Sequence, residues 1–171
     1  ENLWRLKKLK LINKIKLLKI DLLDGNLISQ IVKKGKYDEI YNLAAQSFVD
    51  KSYAEPVYTS NVNAIGVIQM LEAIRKFSNK TKFFQASSSE MFGNIRPKLK
   101  NENTNFHPVS PYAVSKLYAH SMVNLYRNVH NLFCCSGIMF NHESPLRDDL
   151  FVTQKIIKKL IKIKHKKIKY L

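Results

Sequence analysis

Short apolar runs alternate along the chain with longer stretches in which apolar residues recur every three or four positions. The first kind suits a buried strand and the second an amphipathic helix. On this reading IKLLKI (15–20) is a strand, and a helix follows with Asp24 as its cap and Gly35 as its stop. EIYNLAA (39–45) is the next strand. A helical stretch over 48–77 is interrupted at Pro56, where the missing N–H donor breaks or kinks it. KFFQASS (82–88) is a strand, 110–130 a helix with Pro111 in its first turn, LFCCSGIMF (132–140) a strand, and residues from Phe151 onward a helix. Strands alternating with helices make βαβ units, so the expected fold class is α/β, a doubly wound parallel sheet with helices on both faces.

In such a sheet the sites lie at the carboxyl ends of the strands. Here those ends read DLLD, AAQS and SSSE, which brings Asp21, Ser47, Ser88 and Glu90 toward one crevice, with small Ala44 and Ala45 leaving the backbone open to a ligand. The five glycines form no G-x-G-x-x-G or G-x-x-G-x-x-G turn. Either the fold does not take a dinucleotide, or its first βαβ unit lies upstream of Glu1.

Composition alters this picture little. The chain has 171 residues, long enough for one domain, and its formal charge of +16 would ordinarily suggest an anionic partner. The basic residues, however, concentrate near the ends, at 6–19 and 155–169, and are mostly Lys interleaved with Ile and Leu. That is the pattern of amphipathic segments with one solvated and one buried face. Arg and aromatic residues, which read and stack on bases, are not clustered there, so neither a nucleic acid nor a membrane is expected as partner. No apolar run approaches the eighteen or so residues of a membrane span, and the first residues carry no signal-peptide core. Cys134 and Cys135 are adjacent, which on a strand sends them to opposite faces; buried, reduced thiols of a cytoplasmic protein are expected.

The chemistry centres on Tyr112 and Lys116, at i and i+4 on one helix face. An ammonium beside a phenol favours the phenolate and would lower the Tyr112 pKa toward neutrality. In a chain this rich in Lys, about one such pair arises by chance. Order adds meaning: Ser88 at the preceding strand end can bond the same substrate oxygen, and Glu90 supplies a second proton-transfer group. Such a set can oxidise, eliminate and reduce again.

Four stretches, DEIYNLAAQSFV (38–49), FFQASSSEMFG (83–93), SPYAVSKLYAH (110–120) and GIMFNHESPLR (137–147), resemble in order and spacing the middle of the GDP-mannose 4,6-dehydratases, extended short-chain dehydrogenases/reductases. The resemblance implies an NAD(P)-binding Rossmann-type sheet, incomplete at both ends. It implies one dinucleotide-binding domain over 1–171, with part of the substrate-binding region at 141–171. The family's Gly-rich turn would precede Glu1, and its substrate-binding segments would continue past Leu171.

In that family NADP takes a hydride from sugar C4 while Tyr accepts the hydroxyl proton, a Glu removes the C5 proton, water leaves from C6, and the hydride returns there. By motif, Tyr112 is the acid/base and Lys116 its partner at the nicotinamide ribose. Ser88, where the family has Thr, keeps the hydroxyl, and Glu90 is the dehydration base. Asp21 and Leu22 fall around the adenine. Leu43, Ala44, Ala45, Gln46 and Ser47 lie under the cofactor, and Tyr58 touches it. His142 and Arg147 close over the nicotinamide end. Ser88, Ser89, Glu90 and Asn141 face the sugar nucleotide, Asn141 at its diphosphate. No metal is implied.

GDP-mannose is then the substrate, and a homo-oligomer, dimer or tetramer, the expected assembly. Two departures stand out, Asp148 in place of Gly and Val109 in place of Arg; the first would strain its loop if a positive φ were needed there. The rival readings are a dTDP-glucose-type dehydratase, in which Asp replaces Ser89, or an epimerase, which has no need of Glu90. From other classes come a catalytically silent remnant and a basic anion-binding module.

Overall fold

In the computed structural model, which describes residues 3–94 and 99–165, Asp24 opens a helix by accepting Leu27 N–H on its side chain at 2.9 Å. This helix, α2 (Gly25–Gly35), follows a short α1 (Trp4–Lys8). It runs to Gly35 and is capped by Lys36, which takes the left-handed conformation at φ 44°. The helix thus stops at Gly35 as expected, with the left-handed residue one position later. A Cβ on Gly35 would lie 2.1 Å from the Tyr37 ring, so its small size serves a close approach.

The sheet has three strands, β1 (Glu39–Asn42), β2 (Lys82–Ser88) and β3 (Cys134–Met139), all parallel in the order β1-β2-β3. Between β1 and β2 the chain makes α3 (Val49–Ala54) and α4 (Pro56–Ser60), then a π-helical turn (Asn61–Ile65) that leads into α5 (Gly66–Phe77). Pro56 sits in the first turn of α4, so the expected break is there. A 3₁₀ turn (Ser89–Phe92) follows β2, and α6 (Pro111–His130) crosses to β3. Ser110 caps α6 by accepting Ala113 N–H at 3.0 Å.

One core fills the space between the sheet and a single helical layer. Val32 of α2, Leu71 and Ile74 of α5, and Ala119 and Val123 of α6 meet Phe83 of β2 and Cys134 of β3. Tyr41 and Cys135, on the opposite side of the strands, are exposed. Among the described residues of this unit, Lys19–Phe140, the helices that contribute to the core lie on one side of the sheet. Alternation separates the two thiols as expected, but only Cys134 is buried.

Residues 15–20 form no strand. They run as irregular backbone with exposed side chains, and a parallel strand exists only through a ladder to a neighbour. A second unit comprises Glu1–Leu18 and Asn141–Leu171 and contains α1 and α7 (Val152–Lys164). In it Arg5 Nε donates to the Leu146 carbonyl at 2.7 Å and its guanidinium pairs with Asp148 at 3.5 Å. Asp148 also accepts Leu150 N–H at 3.0 Å and is not among the described positive-φ residues, so no glycine geometry is strained there. The Lys-coated α7 has no buried face: Ile156, Ile157, Leu160 and Ile161 are all exposed. Every buried hydrophobic among the described residues lies in the other unit, which leaves this face no core to enter.

Candidate active site

Tyr112 and Lys116 occupy the first turns of α6, both buried, with the ammonium 5.9 Å from the centroid of the phenol ring. The ammonium does not bond the phenol. It donates instead to the carbonyl of Ala86, near the end of β2, at 2.9 Å. Burial lowers the Lys116 pKa to about 8. Burial also pushes the Tyr112 phenol up; a hydrogen bond with Ser88 works the other way, and the Glu90 charge adds to the rise. The expected lowering of the phenol by Lys116 is therefore absent from this structure, because desolvation outweighs a cation turned toward a backbone carbonyl.

Ser88 ends β2, buried, and caps the 3₁₀ turn by accepting Glu90 N–H at 3.2 Å. That turn presents Glu90 to solvent while Met91 and Phe92 anchor it in the core. It closes on Gly93 at φ 57°, where a Cβ would lie 2.1 Å from the His107 carbonyl oxygen. The structure thus brings together Ser88, Glu90, Tyr112 and Lys116, which the sequence singled out from two separate stretches. Ser89, between Ser88 and Glu90, is half-buried.

The remaining residues of the sheet-bearing unit divide. Gln46 is buried, and its N–H donates to Asn63 Oδ1 at 2.9 Å while Asn63 Nδ2 donates back to the Gln46 carbonyl at 3.0 Å. Asn63 Nδ2 also reaches Ser115 Oγ at 3.3 Å, and Ser115 donates to the Tyr112 carbonyl at 2.7 Å. This chain of bonds fixes the loop after β1 against the helix that carries Tyr112. Leu43, Ala44 and Ser47 stand exposed along the loop, with Ala45 half-buried. Tyr58 is exposed on α4, with Lys51 over its ring.

Asp21 lies in the loop before α2. Its carboxylate accepts Leu23 N–H at 3.0 Å, and it lines a cleft with Asp24, Gly25 and Gln69. Leu22 packs partly buried on the core. Asn141, His142 and Arg147 belong to the second unit, where Arg147 lies over the Phe151 ring at 3.6 Å and 3.8 Å from the Glu143 carboxylate.

Sequence reasoning missed Asn63. Its signal was present: an Asn among Val62, Ala64, Ile65 and Val67 in a helical stretch. Only the π turn shows why it is needed, since that irregularity turns its amide toward the backbone of Gln46.

The chain is similar to known proteins in sequence and in fold. The family model for GDP-mannose 4,6 dehydratase matches residues 1–171. The chain is 46% identical over 145 residues to GDP-mannose 4,6-dehydratase of Vibrio cholerae, covering 84% of this chain and 39% of that protein. It is 49% identical over 148 residues to GDP-mannose 4,6 dehydratase 2 of Arabidopsis thaliana, covering 84% and 39%. The fold matches RMD from Pseudomonas aeruginosa complexed with NADPH, with TM-score 0.80, 25% identity, and coverage of 86% of this chain and 50% of that one. It also matches the dTDP-glucose 4,6-dehydratase DesIV from Streptomyces venezuelae with NAD and TYD bound, with TM-score 0.83, 21% identity, and coverage of 94% and 49%. The chain spans about 39% of the length of the curated relatives it matches. Four motifs in register, a parallel Rossmann-like sheet and a family match along the whole sequence lead to one assignment: the chain belongs to the GDP-mannose 4,6-dehydratase family.

Proposed function

We propose that the protein is a hydro-lyase converting GDP-mannose to GDP-4-keto-6-deoxymannose. The observation that carries this reading is Glu90 on a turn capped by Ser88, close enough for its charge to act on the Tyr112 phenol. Tyr112, as its phenolate, would accept the proton of the C4 hydroxyl while Ser88 holds the same oxygen by hydrogen bonding. Glu90 removes the C5 proton, and water leaves from C6. Ser89, where glucose-type enzymes carry an acidic Asp, favours the mannose type.

The cofactor is NADP, and when bound it supplies the hydride acceptor for C4 and the donor for C6. The residues fit its nicotinamide half. Lys116 is a buried cation near the phenol, and the exposed Ala44 on the loop after β1 leaves backbone open to close approach. Asp21 and Leu22 are assigned to the adenine, Leu43 to Ser47 and Tyr58 to the rest of the cofactor bed, His142 and Arg147 to its nicotinamide end, and Asn141 to the sugar-nucleotide diphosphate. The region 141–171 contributes to substrate binding.

A homo-oligomer is the expected assembly. Val114, Tyr118, Leu125 and Val129 make an exposed stripe on α6, spaced to fall on one face of the helix. An uncharged apolar stripe is self-complementary about a twofold axis, which supports pairing with a second copy. Among the described residues no helix is long and apolar enough to cross a membrane, and both cysteines are free thiols. From the free thiols, the reaction is assigned to the cytoplasm.

The test supplies GDP-mannose to the protein made from its complete gene and follows loss of one water by mass and the 4-keto chromophore in alkali. An unchanged sugar rejects the reading.

A further inference from the structure

Ser87 and Ser88 are consecutive at the end of β2, and both are buried. Ser88 turns to Tyr112. Ser87 turns to the helical layer, where its Oγ lies 3.0 Å from His120 Nδ1. His120 stands one turn beyond Lys116 on α6. Two successive turns of one helix therefore hold two successive residues of one strand, Lys116 at the Ala86 carbonyl and His120 at the Ser87 hydroxyl.

The imidazole has a second neighbour. Phe106 meets it edge-on at 5.3 Å and packs against Phe92 at 5.0 Å, and Phe92 is the last residue of the turn that carries Glu90. We propose that His120 is a positioning residue, which through Ser87 and through Phe106 and Phe92 sets where the Ser88 hydroxyl and the Glu90 carboxylate stand relative to Tyr112. This inference rests on the dehydratase reading of the site.

The chemistry suits the role. Burial, helped by the nearby Arg127 charge, lowers the His120 pKa, so near neutral pH the ring is uncharged and Nδ1 can pair with a hydroxyl. An apolar side chain in its place would leave Ser87 Oγ buried without a partner, and the strand end would shift to find one. Ångström-scale displacement of a reacting group costs rate more than binding.

The experiment compares His120→Leu with His120→Asn in the protein made from its complete gene; Asn places a polar atom near the position of Nδ1. The Leu variant is expected to lose about 10- to 100-fold in kcat with KM changed by less than about threefold, and the Asn variant to recover to within about threefold of wild type. Full activity in the Leu variant, or equal loss in both, overturns the proposal. A second measurement follows the ¹⁵N resonance of His120 Nδ1 on Ser87→Ala, where a shift is expected and an unmoved resonance breaks the link. Wild-type protein that leaves GDP-mannose untouched rejects the dehydratase reading and the positioning role of His120 with it. The resonance still decides the contact with Ser87 in that case.

Discussion

Lys116 Nζ donates a 2.9 Å hydrogen bond to the Ala86 carbonyl, fixing a buried ammonium two residues before the serine that ends β2. The bond explains how one side chain both orders the strand end and keeps its charge in a desolvated place. Its pKa of about 8 against an ordinary 10.5 has a direct consequence for stability. The unfolded state binds more protons between these values, so this group makes the fold more stable as pH rises from about 8 to 10.5. Lys116→Met should remove that gain, of the order of 2–3 kcal/mol, as read from urea midpoints across this window.

Glu72 on α5 makes the opposite prediction at the acid end. It pairs with Arg75 at 2.8 Å and Lys76 at 3.1 Å and accepts the Tyr126 hydroxyl at 2.8 Å. The Arg75 hydrogen bond leads in holding its pKa at about 2. The stabilisation is complete above the ordinary carboxylate value near 4.5 and is lost as pH falls toward 2. Because both cations are largely solvated, Glu72→Gln should cost only about 1 kcal/mol at pH 7 and flatten the acid limb of the stability curve.

Two glycines separate backbone from side-chain constraint. Gly93→Ala would set a Cβ 2.1 Å from the His107 carbonyl oxygen at φ 57°, and backbone cannot yield cheaply. A loss of about 2–3 kcal/mol is expected. At Gly35 the close atoms belong to the Tyr37 ring, which can swing away, and Ala favours a helix. Thermal melts should show Gly35→Ala near neutral, within about 1 kcal/mol.

Asn63→Leu should remove partners from both the N–H and the carbonyl of Gln46, a buried residue. We expect a loss of about 2–4 kcal/mol in chemical unfolding. Asn63→Asp should restore the acceptor and not the donor, falling between the two.

Glu90→Gln tests the elimination. The carboxamide keeps shape and cannot take a proton, so dehydration should fall at least about 100-fold while GDP-mannose still binds. Dehydration at the wild-type rate would remove Glu90 from the mechanism.

Much of this protein is written in its local pattern. Apolar runs bounded by Asp24, Pro56 and Ser110 set where helices begin, since caps and proline geometry act over a few residues. The motif order singled out Ser88, Glu90, Tyr112 and Lys116 from two separate stretches. Other features depend on neighbours in space. Residues 15–20 have strand composition and no strand, because a ladder needs a second chain segment. The apolar side of α7 stays exposed for want of a core in its unit, though its sequence reads as half-buried.

Sequence spacing set Tyr112 and Lys116 on one face of a helix; tertiary structure decided what each touches. Desolvation and the Ala86 carbonyl, contributed from a strand 30 positions earlier, turned the ammonium away from the phenol and reversed the expected direction of the Tyr112 shift. Hydrogen-bond partners of buried groups are chosen by packing across long separations, and no local pattern encodes them.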